Sequence, residues 1–437
     1  MLLNAADKAL WRLALPMIFS NITVPLLGLV DTAVIGHLDS PVYLGGVAVG
    51  ATATSFLFML LLFLRMSTTG LTAQAWGAKD PQRLARALVQ PLALALGAGV
   101  LIILLRLPLI DLALHIVGGS EAVLEQARRF LEIRWLSAPA SLANLVLLGW
   151  LLGVQYARAP VILLVVGNLL NIVLDLWLVM GLRMNVQGAA LATVTAEYAT
   201  LIIGLLMAKR VLTLRGVSLA MLKNAWRGDL RRLLALNRDI MLRSLLLQLC
   251  FGALTVFGAR LGSDIVAVNA VLMTMLTFTA YALDGFAYAV EAHSGQAYGA
   301  RDGSQLLEVW RAACRQCMVA LAFALIYSLA GQYIIALLTS LPSLQQLADR
   351  YLIWQTILPV VGVWCYLLDG MFIGATRGAE MRNSMAVAAA GFAVTLLTLP
   401  VLGNHGLWLA LAVFLALRGL SLALIWRRHW RRGTWFS

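Results

Sequence analysis

The chain has 437 residues, of which 61% are hydrophobic and only 12% are charged. Together with a mean hydropathy of +0.87, this composition excludes an ordinary soluble domain and indicates a membrane protein with many spans. A formal net charge of +13 would favour a nucleic-acid partner in a soluble protein. Here the basic residues cluster between apolar segments, which is typical of topology signals. We therefore expect membrane lipids as partners and no nucleic acid.

Apolar segments long enough to cross a bilayer recur along the whole sequence, since a hydrocarbon core of about 30 Å takes about 20 helical residues. No cleavable signal peptide is evident, so we expect the first segment to remain. We place twelve spans at about residues 12–36, 44–73, 88–117, 124–152, 161–181, 186–208, 237–260, 266–297, 312–339, 349–376, 384–402 and 405–427. Both termini then share one side, and most of the 33 Lys and Arg residues lie in connections on that side. The positive-inside rule predicts that this side is the cytoplasm.

The basic residues also set the predicted division of the chain. Arg243 and Arg418 fall with the cytoplasmic connections, which leaves Arg65 as the one basic residue placed within a span. The longest connection is the most basic, and its apolar residues have the spacing of an amphipathic helix on the membrane surface. We therefore predict an amino-terminal lobe at 1–210, a cytoplasmic linker at 211–236 and a carboxy-terminal lobe at 237–437.

Two matched landmarks indicate an internal repeat. QAWGAKD at 74–80 is followed about 220 residues later by QAYGARD at 296–302. A pair of glycines four residues apart recurs at nearly the same spacing, as Gly149 and Gly153, then Gly370 and Gly374. A duplicated block of six spans keeps its orientation, so we expect two pseudo-symmetric six-helix lobes related by an axis along the membrane normal. The alternative is that the two motifs are ordinary turns rich in Gly and Asp.

The sequence resembles the multidrug and toxic compound extrusion (MATE) family of the MOP superfamily. The resemblance lies in the twelve spans, in GLVDTAVIGHL of the first span, in the two turn motifs and in GNLLNIVLD of the fifth span. Within the family, the stretch ALDGFAYAVEAHSGQAYGARD is similar to the DinF branch. It covers essentially the whole chain. It implies an all-α polytopic protein of the bacterial inner membrane, monomeric, that exports amphiphilic or cationic organic compounds by alternating access. The coupling ion would be H⁺ or Na⁺, with no other cofactor.

Four polar residues are candidates for the coupling-ion site: Asp31, Asn171, Asp175 and Thr193. A carboxylate inside a bilayer is costly, so a span that keeps one usually uses it. Asn171 and Asp175 share one helix face, and Asp175 and Thr193 flank the same short loop at a depth of about 13 Å. Matching residues in DinF-branch proteins hold the coupling ion. Two close acids favour protons, while the oxygen ligands would also suit Na⁺.

Two prolines and one further acid complete the first lobe. Pro16 is similar to the hinge proline of MATE first helices, and Pro25 lies six residues before Asp31. Because a proline removes a backbone hydrogen bond, our hypothesis is that protonation of Asp31 shifts a bent–straight equilibrium. The alternative is a permanent kink. Glu197, one turn after Thr193, either joins the network or contacts a headgroup.

The first-lobe acids have no counterparts at the repeat offset, but the second lobe has its own: Asp284, Glu291 and Asp369. They would bind a second ion, attract a cationic substrate or pair with Arg377. No metal site is predicted apart from Na⁺ at the first cluster. No ATPase or hydrolase motif is found, so we expect no enzyme. The alternative function is a lipid-linked oligosaccharide flippase of the same superfamily, which would need basic residues in its cavity.

Overall fold

The computed structural model describes residues 5–36, 38, 40–225, 228 and 230–436, and for residues 22–33 it describes the backbone alone. Within these ranges every regular element is helical. The α-helices are α1 (Ala5–Gly36), α2 (Pro41–Leu60), α3 (Phe63–Gly77), α4 (Pro81–Leu104), α5 (Arg106–Val117), α6 (Glu121–Arg134), α7 (Ala138–Gly153), α8 (Arg158–Asp175), α9 (Asn185–Leu214), α10 (Leu219–Asn224), α11 (Leu230–Leu261), α12 (Ser263–Gly299), α13 (Gly303–Arg315), α14 (Met318–Leu338), α15 (Pro342–Gly374), α16 (Gly378–Thr395), α17 (Leu399–Leu402) and α18 (Asn404–Arg432).

The helices account for the predicted spans. In the part of the chain that the structure describes in full, 11 helical segments are long and apolar enough to cross a membrane. Several combine two helices, such as α2 with α3 and α6 with α7. Helix α1 contains residues described by backbone only, and its 32 residues are also enough to span a bilayer. With α1 the count agrees with the twelve predicted spans, and the all-α polytopic fold is confirmed.

The chain divides into two compact units. The amino-terminal unit is Phe19–Leu234, and the carboxy-terminal unit combines Met1–Ile18 with Ala235–Ser437. One division therefore falls within α1 and the other in the first turns of α11. The sequence-based division at 211–236 placed all of the first helix with the amino-terminal lobe, whereas the structure groups its first turns with the other unit.

The first turns of α1 pack against α12, which explains their grouping. The Trp11 and Phe286 rings meet edge to face, with centroids 5.0 Å apart. His293 Nε2 donates to the carbonyl oxygen of Ala9 at 3.2 Å. Buried Asp7 accepts from Arg315 Nε at 3.0 Å. An aromatic contact, a hydrogen bond and an ion pair thus fix the start of α1 within the carboxy-terminal unit.

The two copies of the repeated turn have the same backbone geometry. Lys79 and Arg301 both adopt left-handed conformations, with φ of 54° and 52°. The acid that follows each of them caps the next helix, since Asp80 accepts from backbone N–H groups at the start of α4 and Asp302 from one at the start of α13. An acceptor at this position satisfies N–H groups that have no partner within the helix. Equivalent helix ends and caps support duplication over coincidence.

The repeated glycines make the same close helix contact in both units. A Cβ on Gly149 of α7 would lie 2.5 Å from the backbone oxygen of Arg65 in α3. In the carboxy-terminal unit, a Cβ on Gly370 of α15 would lie 2.9 Å from the backbone oxygen of Ala287 in α12. Their partners Gly153 and Gly374 are as crowded. Small residues let helix backbones approach closely in membrane proteins, so each pair fixes one central helix packing.

The carboxy-terminal tail folds back onto its own unit. Arg377 Nη2 donates to the carbonyl oxygens of Thr434 and Trp435 at 2.9 and 2.7 Å. The same guanidinium lies 4.9 Å from the Trp435 ring centroid, and that indole is fully buried. Glu380 accepts from Arg377 Nη1 at 3.1 Å and lies 2.7 Å from His429 Nε2. The loop before α16 and the tail are therefore held together by one charged network.

Candidate functional site

The amino-terminal unit brings together two of the four predicted ion-site residues through a hydrogen bond. Asn171 Nδ2 on α8 donates to Thr193 Oγ1 on α9 at 3.2 Å. The hydroxyl in turn donates to the carbonyl oxygen of Ala189 at 3.2 Å, or to Asn171 Oδ1 at 3.4 Å. The depth estimate placed Thr193 level with Asp175, so the observed bond lies within the predicted cluster but joins Thr193 to the neighbouring Asn171. Their part in ion binding stays a prediction.

Asp175 lies one turn beyond Asn171 on the same face of α8, and only 1% of it is exposed. Immediately after it the helix widens into a π-helical turn, Leu176–Gly181. Such turns are rare and often occur at functional sites, because the wider winding redirects side chains and loosens the hydrogen-bond ladder. Nothing in the sequence periodicity indicated this change. The π-helical turn therefore lies directly beside Asp175, the predicted ion-site acid.

The remaining predictions for this site concern α1. Asp31 and Pro25 have side chains outside the described residues, so the predicted contact of Asp31 with the cluster is not described. Pro16 is half-buried within the continuous helix α1, two residues before the division between the units. The proline that is predicted to act as a hinge therefore lies in the segment of α1 that passes from one unit to the other.

Glu197 has a different partner from the one expected. Asn144 Nδ2 on α7 donates both to Glu197 Oε2 and to the Glu197 carbonyl oxygen, each at 3.0 Å. No hydrogen bond among the described residues joins Glu197 to Asn171 or Thr193. Sequence reasoning missed Asn144, although an amide in the apolar run SLANLVLLGW was a detectable signal. Glu197 thus links α9 to α7.

Asp369 in the carboxy-terminal unit is held by two buried arginines. Its Oδ2 accepts from Arg243 Nη2 of α11 at 2.6 Å and from Arg418 Nη2 of α18 at 2.5 Å. Pairing with Arg377 was one of the roles left open for this acid, and the bonds of Asp369 are instead to Arg243 and Arg418. The sequence also grouped both arginines with the connections between spans, whereas they lie within α11 and α18. Helices α11 and α18 extend far enough to carry both guanidiniums into the helical core. A carboxylate that two guanidiniums already bind has little capacity left for another cation, which argues against a cation site at Asp369.

The other two acids of this unit lie on α12. Asp284 is half-buried, and its charge acts on Cys365 and Tyr366 of α15. Glu291 is 2% exposed, and its backbone oxygen faces the repeated glycine Gly374. Both residues therefore lie where α12 packs against α15, and the roles of their carboxylates stay predictions.

Among the residues that the structure describes, no group of three or more His, Cys, Asp or Glu side chains is arranged to hold a metal ion. All four cysteines are free, including the Cys314 and Cys317 pair.

A family model described as MatE matches residues 16–177 and 240–401. The two matches together cover more than half of the chain and correspond to its two copies. The chain is 87% identical over 436 residues to DNA damage-inducible protein F of Escherichia coli (strain K12), which covers 100% of this chain and 95% of that protein. It is 23% identical over 432 residues to the probable multidrug resistance protein NorM of Acinetobacter baylyi, covering 96% and 94%. The resemblance to the DinF branch is confirmed.

Solved structures share the fold along nearly the whole chain. An outward-facing multidrug resistance MATE family transporter of the MOP superfamily superposes with a TM-score of 0.86 at 23% identity, covering 98% of this chain and 96% of the other. A MATE structure in the bent conformation gives 0.84 at 24% identity, with the same coverage. At these identities the likeness establishes the fold. Since the family model also matches both halves, the chain belongs to the MatE family of multidrug-type membrane transporters and is not an enzyme.

Proposed function

We propose that the protein is an antiporter that exports small amphiphilic or cationic organic compounds across the bacterial inner membrane in exchange for protons. It works as a monomer with both termini in the cytoplasm, by alternating access. The observation that supports this most is the Asn171–Thr193 hydrogen bond, one helical turn from the buried carboxylate of Asp175. An amide, a hydroxyl and a carboxylate in an apolar helical unit form the kind of polar site that transporters use for ions.

Protons are the coupling ion that this set of groups favours. Asp175 and Asp31 supply two carboxylates, and close acids in a medium of low dielectric constant share protons readily. Asn171 and Thr193 add an amide and a hydroxyl to the same site. The same oxygens would suit Na⁺, which prefers hard ligands, so the experiment must separate the two ions.

Helix α1 is the element that transmits the protonation state. Pro16 lies two residues before the division between the units, and Asp31 lies on the same helix. MATE structures solved in bent and in straight conformations provide a precedent for two states. Spin labels at exposed Lys8 and Gly36 should move closer on acidification in the wild-type protein and not in Asp31→Asn. An unchanged distance in the wild type would contradict this step.

The carboxy-terminal acids receive different roles in the proposal. Asp284 and Glu291 attract the cationic substrate, whereas Asp369 is a structural partner of Arg243 and Arg418. The flippase alternative has weaker support, because a flippase needs cationic groups that bind its pyrophosphate. In the carboxy-terminal unit, the buried Arg243 and Arg418 are already bound to the carboxylate of Asp369.

Proteoliposomes test the proposal directly. A proton gradient and a Na⁺ gradient are imposed separately, and release of a fluorescent cationic amphiphile such as ethidium is followed. We expect the proton gradient alone to drive transport, and Asp31→Asn and Asp175→Asn to abolish it while the protein still elutes as a monomer. Asp111→Asn is the matched control, because Asp111 is an exposed partner of Arg128 and such surface pairs contribute little.

Each outcome has a defined meaning. Transport driven only by Na⁺ would overturn proton coupling and keep the site. Transport driven by neither ion would overturn antiport itself. Undiminished transport in Asp175→Asn would remove the site from the mechanism.

A further inference from the structure

A small cleft with three arginines lies in the amino-terminal unit, and none of the predicted ion-site residues lines it. It is enclosed by the first turns of α4, the start of α11 and α3, and has a volume of about 70 Å³. One water needs only about 10–15 Å³ of such volume, so a small polyatomic group fits. The arginines are Arg83, Arg86 and Arg232, and Leu71 and Leu233 provide an apolar wall.

Arg86 has a buried donor that needs an acceptor. Its Nε is buried and has no hydrogen-bond partner among the described residues. The backbone of Gly228 packs over it, so closely that a Cβ at that position would lie 2.6 Å from Arg86 Nε. A buried donor without a partner is costly, and most such groups are satisfied in folded proteins. The side chain is thus positioned before any ligand arrives.

The charged side chains that line the cleft are all positive. Arg83 is close enough to Arg86 and Arg232 for their charges to act on it. No acidic side chain is among the described residues that line the cleft. Asp80 lies nearby, but its Oδ1 caps α4 by accepting from two backbone N–H groups. Asp229 lies outside the described residues.

Helix α4 adds to this potential. Both Arg83 and Arg86 lie in its first two turns, where the helix dipole is positive. The cleft also lies at the end of a predicted span, where a headgroup region would be. Guanidinium groups bind phosphate oxygens through paired hydrogen bonds. A carboxamide or a water molecule matches this paired geometry less well than a phosphate group does.

We propose that this cleft binds a phosphate group, with Arg86 as its central donor and Arg83 and Arg232 beside it. The group comes from the headgroup of an acidic phospholipid or from free phosphate. The leucines would contact the glycerol of a lipid, whereas free phosphate would use the arginines alone.

Native mass spectrometry of the full-length protein separates the two sources. The protein is titrated with phosphatidylglycerol, with phosphatidylethanolamine and with inorganic phosphate. Arg86→Gln should weaken phosphate-group binding by about tenfold or more, since a hydrogen bond to a charged group accounts for such a change. Arg86→Lys should bind with intermediate strength, because it keeps the charge and loses the planar fork.

Arg231→Gln is the matched control, because Arg231 is exposed on the same helix turn as Arg232 and does not line the cleft. Preference for phosphatidylglycerol that Arg86→Gln removes and Arg231→Gln retains supports a lipid site. Binding of inorganic phosphate with the same dependence, and no lipid preference, supports a free-phosphate site. Equal loss in both variants, or no binding of either anion, overturns the proposal. The unfolding temperature of each variant without ligand shows whether it is folded.

Discussion

The two units share one helix contact and differ in their polar chemistry. In both, a pair of glycines brings a central helix onto the backbone of its neighbour. In the amino-terminal unit, buried Asp175 lies beside an amide–hydroxyl pair, Asn171 and Thr193. In the carboxy-terminal unit, buried Asp369 is bound by two guanidiniums. The packing has been retained after duplication, while the charges have been distributed differently.

This difference shows which features the repeat constrains. A backbone-to-backbone contact leaves no room for any side chain, so both copies need glycine there. A buried acid needs only a suitable set of partners, and its function depends on which partners it has. Symmetry of the fold is therefore a guide to packing and a poor guide to the ion site.

The largest effect is expected from Asp369→Asn. The change leaves Arg243 and Arg418 buried around a neutral amide, and breaking a buried ion pair in this way costs about 3–5 kcal/mol. We expect a marked fall in unfolding temperature, measured by light scattering or fluorescence in detergent. The control is Asp175→Asn, the same change in the other unit, which should lose transport with a much smaller loss of stability. Equal destabilisation by both variants would contradict the distinction between the two acids.

An intermediate effect is expected at the shared contact. Gly374→Ala places a Cβ about 2.7 Å from the backbone nitrogen of Gly295, and overpacking of this kind costs about 1–3 kcal/mol. Gly153→Ala should be as harmful, because its neighbours are as close. Gly97→Ala and Gly252→Ala are matched controls in helices of each unit, since no atom lies within 4 Å of their added Cβ. If only one unit were sensitive, the two contacts would not be equivalent.

The smallest effect is expected from Thr193→Val. It removes the hydroxyl that bonds Asn171, a loss of about 1 kcal/mol, so proton-driven transport should fall a few-fold. Thr195→Val on the same helix is the control, because that hydroxyl is exposed and bonds its own helix at Leu191. Transport assays at several pH values would measure both variants. A similar loss in the control would show that Thr193 acts only through the helix.

Much of this architecture could be predicted from the sequence. Hydropathy identified the spans, because a bilayer requires long apolar helices. The repeated motifs predicted a duplication, since each copy has the same local residue pattern. The helix contacts that the repeated glycines make were not predicted, because they depend on packing between helices. Helix geometry and a short loop predicted that Thr193 lies near the face of α8 that carries Asn171 and Asp175, although the bond it makes is to Asn171. These predictions rest on local rules that a single chain displays.

The ion pairs of Asp369 could not be predicted in the same way. Arg243 and Arg418 lie near the ends of apolar runs, so a topology rule assigns them to the cytoplasm. Their burial depends on α11 and α18 extending to 32 and 29 residues and on how those helices pack. The Asn144–Glu197 bond and the cleft around Arg86 likewise join residues far apart in sequence. Such partners are determined by tertiary packing, which one sequence does not display.

The division within α1 has a consequence for any attempt to express the protein as two fragments. A fragment that begins at Ala235 would lack Trp11, so the Phe286 ring would lose its aromatic neighbour. It would also lack the carbonyl that binds His293 and the carboxylate that binds Arg315. The carboxy-terminal half is thus incomplete without a short peptide from the start of the chain. Fragment complementation should require that peptide, and supplying residues 5–18 in trans would be the way to restore it.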